Sequence, residues 1–312
     1  MDLSSTAVAL TPCRTYDEHL LGETFERMWS ACSLRVNLRG LHILLKPNLI
    51  SARYGLLACT QGEFILAAAR WFLARGSRVS IGDSPAFGTT ESVLTRIGIR
   101  DELQRLDVRL SDFRKKRDVL LPSGIRAGFA ADALDCDLLI NLPRIKAHAQ
   151  FRVTMAVKNY FGCIVGMQKP LWHMVHGGCP GCFEAHLVEL LGELPDSITL
   201  VDGITAMHVN GPIRGKPFPL GLTACGANPV ALDRALLEVL GIDPAVCPLM
   251  TACLRAGLPG AKLADIIFPL TQPAEICADA FAVPVELSPV RFNPFRFAKN
   301  TLRRMLLAMR QA

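Results

Sequence analysis

The sequence has no apolar run of the ~18 residues that a membrane-spanning helix requires, so a span is not expected. Its start, MDLSSTAVALTPC, has no basic opening and no long apolar core, so a signal peptide is not expected either. It lacks the Gly-Lys-Ser/Thr of a P-loop and the Gly-x-Gly-x-x-Gly of a dinucleotide fold, which speaks against ATP hydrolysis and a nicotinamide cofactor. It has no nucleophile elbow and no Ser–His–Asp order. Aromatic residues make up 7% of the chain and rarely interleave with the basic ones, and without a recognition motif this argues against nucleic acid as a partner. Internal repeats and low-complexity tracts are also missing.

What is present describes a globular protein. Half of the 312 residues are apolar and a fifth are charged, a balance that folds around a large core. The net charge of +6 is modest and favours anionic ligands or surfaces. Eleven cysteines without an export signal point to a reducing compartment, hence the cytoplasm.

Periodicity organises the chain as an α/β protein. Leu41–Lys46 and Arg78–Gly82 read as buried strands, with apolar residues at helical spacing over Gly62–Arg75 between them. Strand, helix and strand in about forty residues make a βαβ unit, hence a parallel sheet. Further strands are expected at Asp137–Asn141, Ser197–Asp202 and Leu222–Cys225, and helices at Thr89–Ile97, Ala130–Cys136, Phe183–Leu194, Pro229–Leu240 and Cys247–Ala256. Arg114–Arg117 reads as a solvated turn, residues 167–181 as loop, and Gly203–Leu220 as a long Gly- and Pro-rich loop. The expectation is a three-layer α/β domain over residues 1–290, as one unit or two packed lobes, with a mostly parallel sheet and helices on both faces. A basic amphipathic helix is expected over 291–312, able to dock on its own domain or to touch an anionic membrane surface peripherally.

The functional signal is concentrated in Asp137–Gly166. After the strand come Arg144, Lys146, His148, Arg152, Thr154, Lys158 and Asn159, seven donors within sixteen residues. Cations repel one another, so clustering them beside a buried strand is unfavourable unless they share an anion. Open α/β sheets bind ligands beyond the carboxyl ends of their strands. Lys46-Pro-Asn48, Asp83-Ser84, Asn141 and Asp202-Gly203 all fall at such ends and converge on one edge. The loop 202–215 adds Gly211 and Gly215, read as positions of positive φ and close backbone approach to a ligand.

Asn-Leu-Pro-Arg-Ile-Lys-Ala-His, followed by Thr154-x-x-x-Lys158-Asn159-x-x-Gly162, resembles domain-of-unknown-function family 362. That family carries Asn-x-Pro-Lys-x-Lys-Thr-His and then Thr-x-x-x-Lys-Asn-x-x-Gly; here Arg144 replaces the first Lys and Ala147 the Thr. The likeness runs from Lys46 to about Asp233 and includes the Lys-Pro-Asn, Gly-Asp-Ser-Pro and Asp-Gly-x-x-x-Met elements. It implies a shared pocket and leaves the reaction open. Many members append a ferredoxin-like segment with several Cys-x-x-Cys runs, and none is read in these residues.

A separate constellation, His173-x-x-His176-x-x-Cys179-Pro-Gly-Cys182, has a spacing suited to an iron–sulfur cluster or to zinc, with Cys163 as a further ligand. A redox thiol pair and an unreactive loop are the alternatives. The leading expectation is an enzyme that binds a small anionic metabolite or a phosphate-bearing cofactor. Its binding groups are Lys46, Asn48, Ser84, Asn141, Arg144, Thr154, Asn159, Gly211 and Gly215, and its chemistry is carried by His148, Lys146, Lys158, Asp83 and Asp202. Two alternatives stand beside it. One is an iron–sulfur or metal-binding electron-transfer protein with a redox partner. The other is a racemase-like isomerase with a metal–nucleotide cofactor, by fold-level analogy with nickel-pincer lactate racemases.

Overall fold

The computed structural model describes residues 3–288 apart from 54, 167, 177–180, 277 and 279. Its strands are β1 (Ala9–Pro12), β2 (His42–Pro47), β3 (Arg78–Gly82), β4 (Arg109–Ser111), β5 (Lys116–Leu120), β6 (Arg126–Ala130), β7 (Leu138–Leu142), β8 (Arg144–His148), β9 (Arg152–Thr154), β10 (Ser197–His208), β11 (Lys216–Phe218) and β12 (Leu222–Gly226). Its α-helices are α1 (Glu18–Ala31), α2 (Gly62–Leu73), α3 (Thr90–Ile97), α4 (Arg100–Arg105), α5 (Ala131–Leu134), α6 (Ala156–Asn159), α7 (Gln168–His176), α8 (Cys182–Glu189), α9 (Pro229–Val239) and α10 (Pro248–Arg255).

The main sheet runs β1-β12-β10-β7-β2-β3-β4. Strands β10, β7, β2, β3 and β4 are parallel, and β12 and β1 close the far side antiparallel. Alternation along each strand separates two cores. In β2, Leu44 faces one way, into a core with Phe183 of α8, Leu232 and Leu236 of α9 and Met250 of α10. Ile43 and Leu45 face the other way, toward Phe25 of α1 and Phe64 and Phe72 of α2. Apolar residues on both faces of a central parallel strand require helices on both faces, so the architecture is the expected three-layer, mostly parallel α/β fold.

Local chemistry sets the helix starts. Asp17 caps α1 by accepting from Leu20 N at 3.0 Å. Thr89 caps α3 in a reciprocal pair with Ser92, not with Glu91. Asn228 caps α9, and Pro229 occupies its first turn.

Four expectations change. The strand expected to end at Asp202 continues to His208, because β8 lies parallel to it (Asp202 beside Arg144, Met207 beside Lys146) and β11 pairs on its far end. Residues 168–176 are helix α7 and not loop. Lys116 and Arg117 open strand β5, so the basic run is only partly a turn. β1 and α1 were not anticipated; β1 is four residues long, too short for periodicity to register. The tail helix expected over 291–312 lies outside the described residues. Among the described residues no helix is long and apolar enough to cross a membrane.

Candidate functional site

The carboxyl ends of β2, β3 and β7 meet in one buried polar network. Register places Lys46 beside Asn141 and Asn141 beside Thr199. Lys46 Nζ donates to Asp83 Oδ1 at 3.0 Å and to Pro47 O at 2.9 Å. Asp83 Oδ2 accepts from Leu49 N at 2.7 Å. Asn159, on α6, ties the strand ends together: its Nδ2 donates to Asn141 Oδ1 at 2.7 Å, and its Oδ1 accepts from Asn48 Nδ2 at 2.7 Å. Asn141 in turn donates to Ala156 O at 3.2 Å. Lys46, Asp83, Asn141 and Asn159 are therefore spent largely on one another. Gly162 is required here, because a Cβ at that position would overlap Lys46 Nζ and Asp83 Oδ1.

Strand β8 carries the next layer. Alternation would turn its basic residues to solvent every second position, yet all five residues are buried. Arg144 donates to Thr205 O at 2.7 Å and Cys59 O at 2.8 Å, and its Nε lies 3.9 Å from Asp202. Asp202 accepts from Tyr16 Oη at 2.8 Å and Gln61 N at 2.9 Å. Burial pushes the Asp202 carboxyl above its ordinary range, with the Arg144 charge opposing the shift. Arg144 and Asp202 are 2% and 0% exposed, and their bonds link β8 to β10.

Lys146 differs. Its Nζ donates only to neutral acceptors, Asn48 Oδ1 and Ala58 O at 3.2 Å. Burial, with the Lys46 and Arg144 charges, pulls it down to about 7. Half-buried Lys158 goes further. Its Nζ stands 4.2 Å from the Phe161 ring centroid, 5.6 Å from Phe151 and 6.0 Å from Phe183, and it donates to no acceptor among the described residues. Burial first, then the charges of Lys169, Lys146 and Lys46, hold it well below the usual lysine range. Lys169, on α7, donates to Ser84 O, and burial brings it down to about 8. Four ammonium groups thus converge on a region in which Asp83 is the carboxylate that acts on three of them.

His148 closes the end of β8. Its Nδ1 accepts from Gln150 N at 3.1 Å, so the neutral ring carries its proton on Nε2. Its ring lies 5.1 Å from that of Phe151, the same ring that flanks Lys158. Thr154 Oγ1 is buried and turned toward Lys146 O at 3.5 Å. α6 itself is positioned by Asp233, which accepts from Ala156 N at 2.7 Å and Val157 N at 3.2 Å. Burial raises the Asp233 carboxyl to about 7 against the pull of those two amides.

Gly211 and Gly215 play another part than expected: neither has a positive φ. Their lack of a side chain lets the turn close on backbone, since a Cβ on Gly211 would overlap Ala147 O and one on Gly215 would overlap Asn210 O. A cavity of about 620 Å³, lined by Gly55 and residues 210–214, borders this end of β8.

The metal-ligand constellation is only partly described. His173 and His176 lie on α7, Cys179 falls outside the described residues, and Cys182 opens α8 and is disulfide-bonded. Cys163 is a buried free thiol raised to about 12 by burial, opposed by the Lys46 charge. Among the described residues no three His, Cys, Asp or Glu side chains come together as a metal site.

Lys169 and Asp233 are the site residues that sequence reasoning missed. Lys169 stands three residues past Gly166, in what read as loop. Asp233 was visible as an acid within an apolar helix, which is itself a signal that a buried partner exists.

A family model described as a domain of unknown function, DUF362, matches residues 43–238. A thylakoid-associated protein of Synechocystis sp. is 36% identical over 266 residues, covering 85% of this chain and 83% of its own. Two solved structures show similar geometry at low identity. The lactate racemase apoprotein from Thermoanaerobacterium thermosaccharolyticum superposes with a TM-score of 0.48 at 12% identity, over 77% of this chain and 58% of that one. A Thermotoga maritima protein superposes with a TM-score of 0.42 at 13% identity, over 66% of this chain and 54% of that one. The chain thus spans a little over half the length of each of these two structures.

Proposed function

Since the chain belongs to the DUF362 family, its activity has to be argued from its own site, and we propose that it is an enzyme acting on a small anionic metabolite. The carrying observation is that Lys146, Lys158 and Lys169 converge and that, among the described residues, no carboxylate is bonded to any of them. Such amines repel one another when protonated, and a shared anion relieves that repulsion and returns protons to Lys146 and Lys169, which bind it. Lys46 and Arg144 are already committed to Asp83 and to backbone carbonyls, so they support the site rather than bind the ligand. His148, with its proton on Nε2, donates a hydrogen bond to the reacting oxygen, and the amine of Lys158 serves as the base.

We also infer a reducing compartment such as the cytoplasm from the eight buried free thiols, although the disulfide-bonded Cys182 runs the other way. Cell fractionation checks that location, and recovery of the chain in the membrane fraction would count against it.

The binding test is a thermal-shift series with inorganic phosphate and with mono- and dicarboxylates on wild type, Lys146→Met and Lys169→Met. Stabilisation of wild type that shrinks in both variants is the expected result. Equal shifts in all three proteins, or none with any anion, would remove the anion site.

A further inference from the structure

Lys158 has surroundings unlike those of the other three lysines. Lys46 has Asp83, and Lys146 and Lys169 donate to oxygen. Lys158 has three phenyl rings and, among the described residues, no oxygen acceptor, although as a residue it is only half-buried. An aromatic cage by itself favours a cation. Here burial among the rings and the neighbouring ammonium groups oppose that preference and draw the amine below the usual lysine range. An ordinary lysine at pH 7 is neutral in roughly one molecule of a few thousand. An amine shifted toward its neutral form by an apolar pocket and adjacent cations is an activated nucleophile toward carbonyl carbon.

Two further features specify the electrophile. Lys146 and Lys169, whose charges act on Lys158, are suited to hold a carboxylate. The His148 ring lies 5.1 Å from the same Phe151 ring that flanks Lys158, and with its proton on Nε2 it is a hydrogen-bond donor. Resting on the anion-site reading above, we propose that Lys158 forms an imine with the carbonyl carbon of a 2-oxo carboxylate. The Nζ lone pair attacks that carbon, forming a C–N bond while the carbonyl π electrons move to oxygen, which takes a proton. The carbinolamine then loses its hydroxyl as water, the proton coming from solvent or from a neighbouring ammonium group. The second Nζ proton passes to solvent or to a neighbouring amine, and no oxidant or reductant is consumed. The resulting iminium withdraws electrons from the adjoining carbon, which makes a bond on that carbon easier to break.

The test is reductive trapping on the full chain. Pyruvate or 2-oxoglutarate is added at neutral pH with cyanoborohydride, and intact mass and peptide mapping follow. The expected product is one adduct per chain, equal in mass to the acid less one oxygen atom, mapped to Lys158 and clearly enriched there over exposed lysines. Acetone, which lacks the carboxylate, is expected to label Lys158 far less. Lys158→Met should remove the adduct while its melting curve stays cooperative, and Lys158→Gln, which keeps a neutral polar side chain, should lack it as well. An adduct spread evenly over surface lysines, or absent from a folded wild type, overturns the proposal. Malonate, which has no ketone, separates the two readings. If malonate stabilises wild type but no adduct maps to Lys158, the nucleophile falls and the anion site stands. If neither signal appears, both fall.

Discussion

Lys46 Nζ lies 3.0 Å from Asp83 Oδ1 with both side chains buried, and the pair joins the ends of two adjacent parallel strands. A buried pair of this kind adds little net stability as a unit, but removing one partner leaves an uncompensated charge. Asp83→Asn should therefore destabilise the protein by about 3–5 kcal/mol, measured by urea unfolding. Gly162→Ala should act in the same direction, because its methyl group would displace the pair. A loss under about 1 kcal/mol in both variants would mean the pair is solvated or dispensable.

The amines make a pH-dependent stability that can be signed. Lys146 is depressed from 10.5 to about 7 and Lys169 to about 8. Between the folded and unfolded values the unfolded chain holds more protons, so stability rises with pH. The ligand-free protein should melt at a higher temperature at pH 9 than at pH 7, and Lys146→Met should flatten the rise. A flat wild-type profile over that window would contradict the assigned burial.

Asp233 gives the opposite slope in a separate window. Its carboxyl is raised from 3.8 to about 7, so its contribution favours folding at low pH and is lost as pH climbs from about 4 to 7. Asp233→Asn should remove that slope in melting curves. Asp233→Ala should cost about 1–3 kcal/mol, because the Ala156 and Val157 amides lose their acceptor. A slope that persists in the Asn variant would assign it to another group.

The turn after β10 should tolerate no side chain at Gly211. Gly211→Ala forces the backbone of Ala147 to move, an overpacking that costs typically ~1–3 kcal/mol. Anion-induced stabilisation should also weaken, because Ala147 lies between Lys146 and His148. Wild-type stability and anion response together would show that the turn yields without disturbing β8.

Much of this protein was legible in the chain. Leu41–Lys46 and Arg78–Gly82 were readable as strands, and Gly62–Arg75 as the helix between them, because an apolar run and a 3.6-residue period are local properties. The convergence of Lys46, Asp83 and Asn141 followed from a rule of parallel sheets, that strand ends meet at one edge. The division of labour among the basic residues was not legible. Arg144, Lys146 and Lys158 are alike as letters, and only the packing of β8 against β10 gave Arg144 its carbonyls and Asp202, while Phe151, Phe161 and Phe183 surrounded Lys158. Lys169 entered the site because α7 folds back over Ser84, eighty-five residues earlier in the chain. Sequence determined which groups could hold an anion. Burial and the partners brought from distant segments decided which of them remain unpaired by carboxylate, because desolvation and Coulomb energy depend on position in space and not on position in the chain.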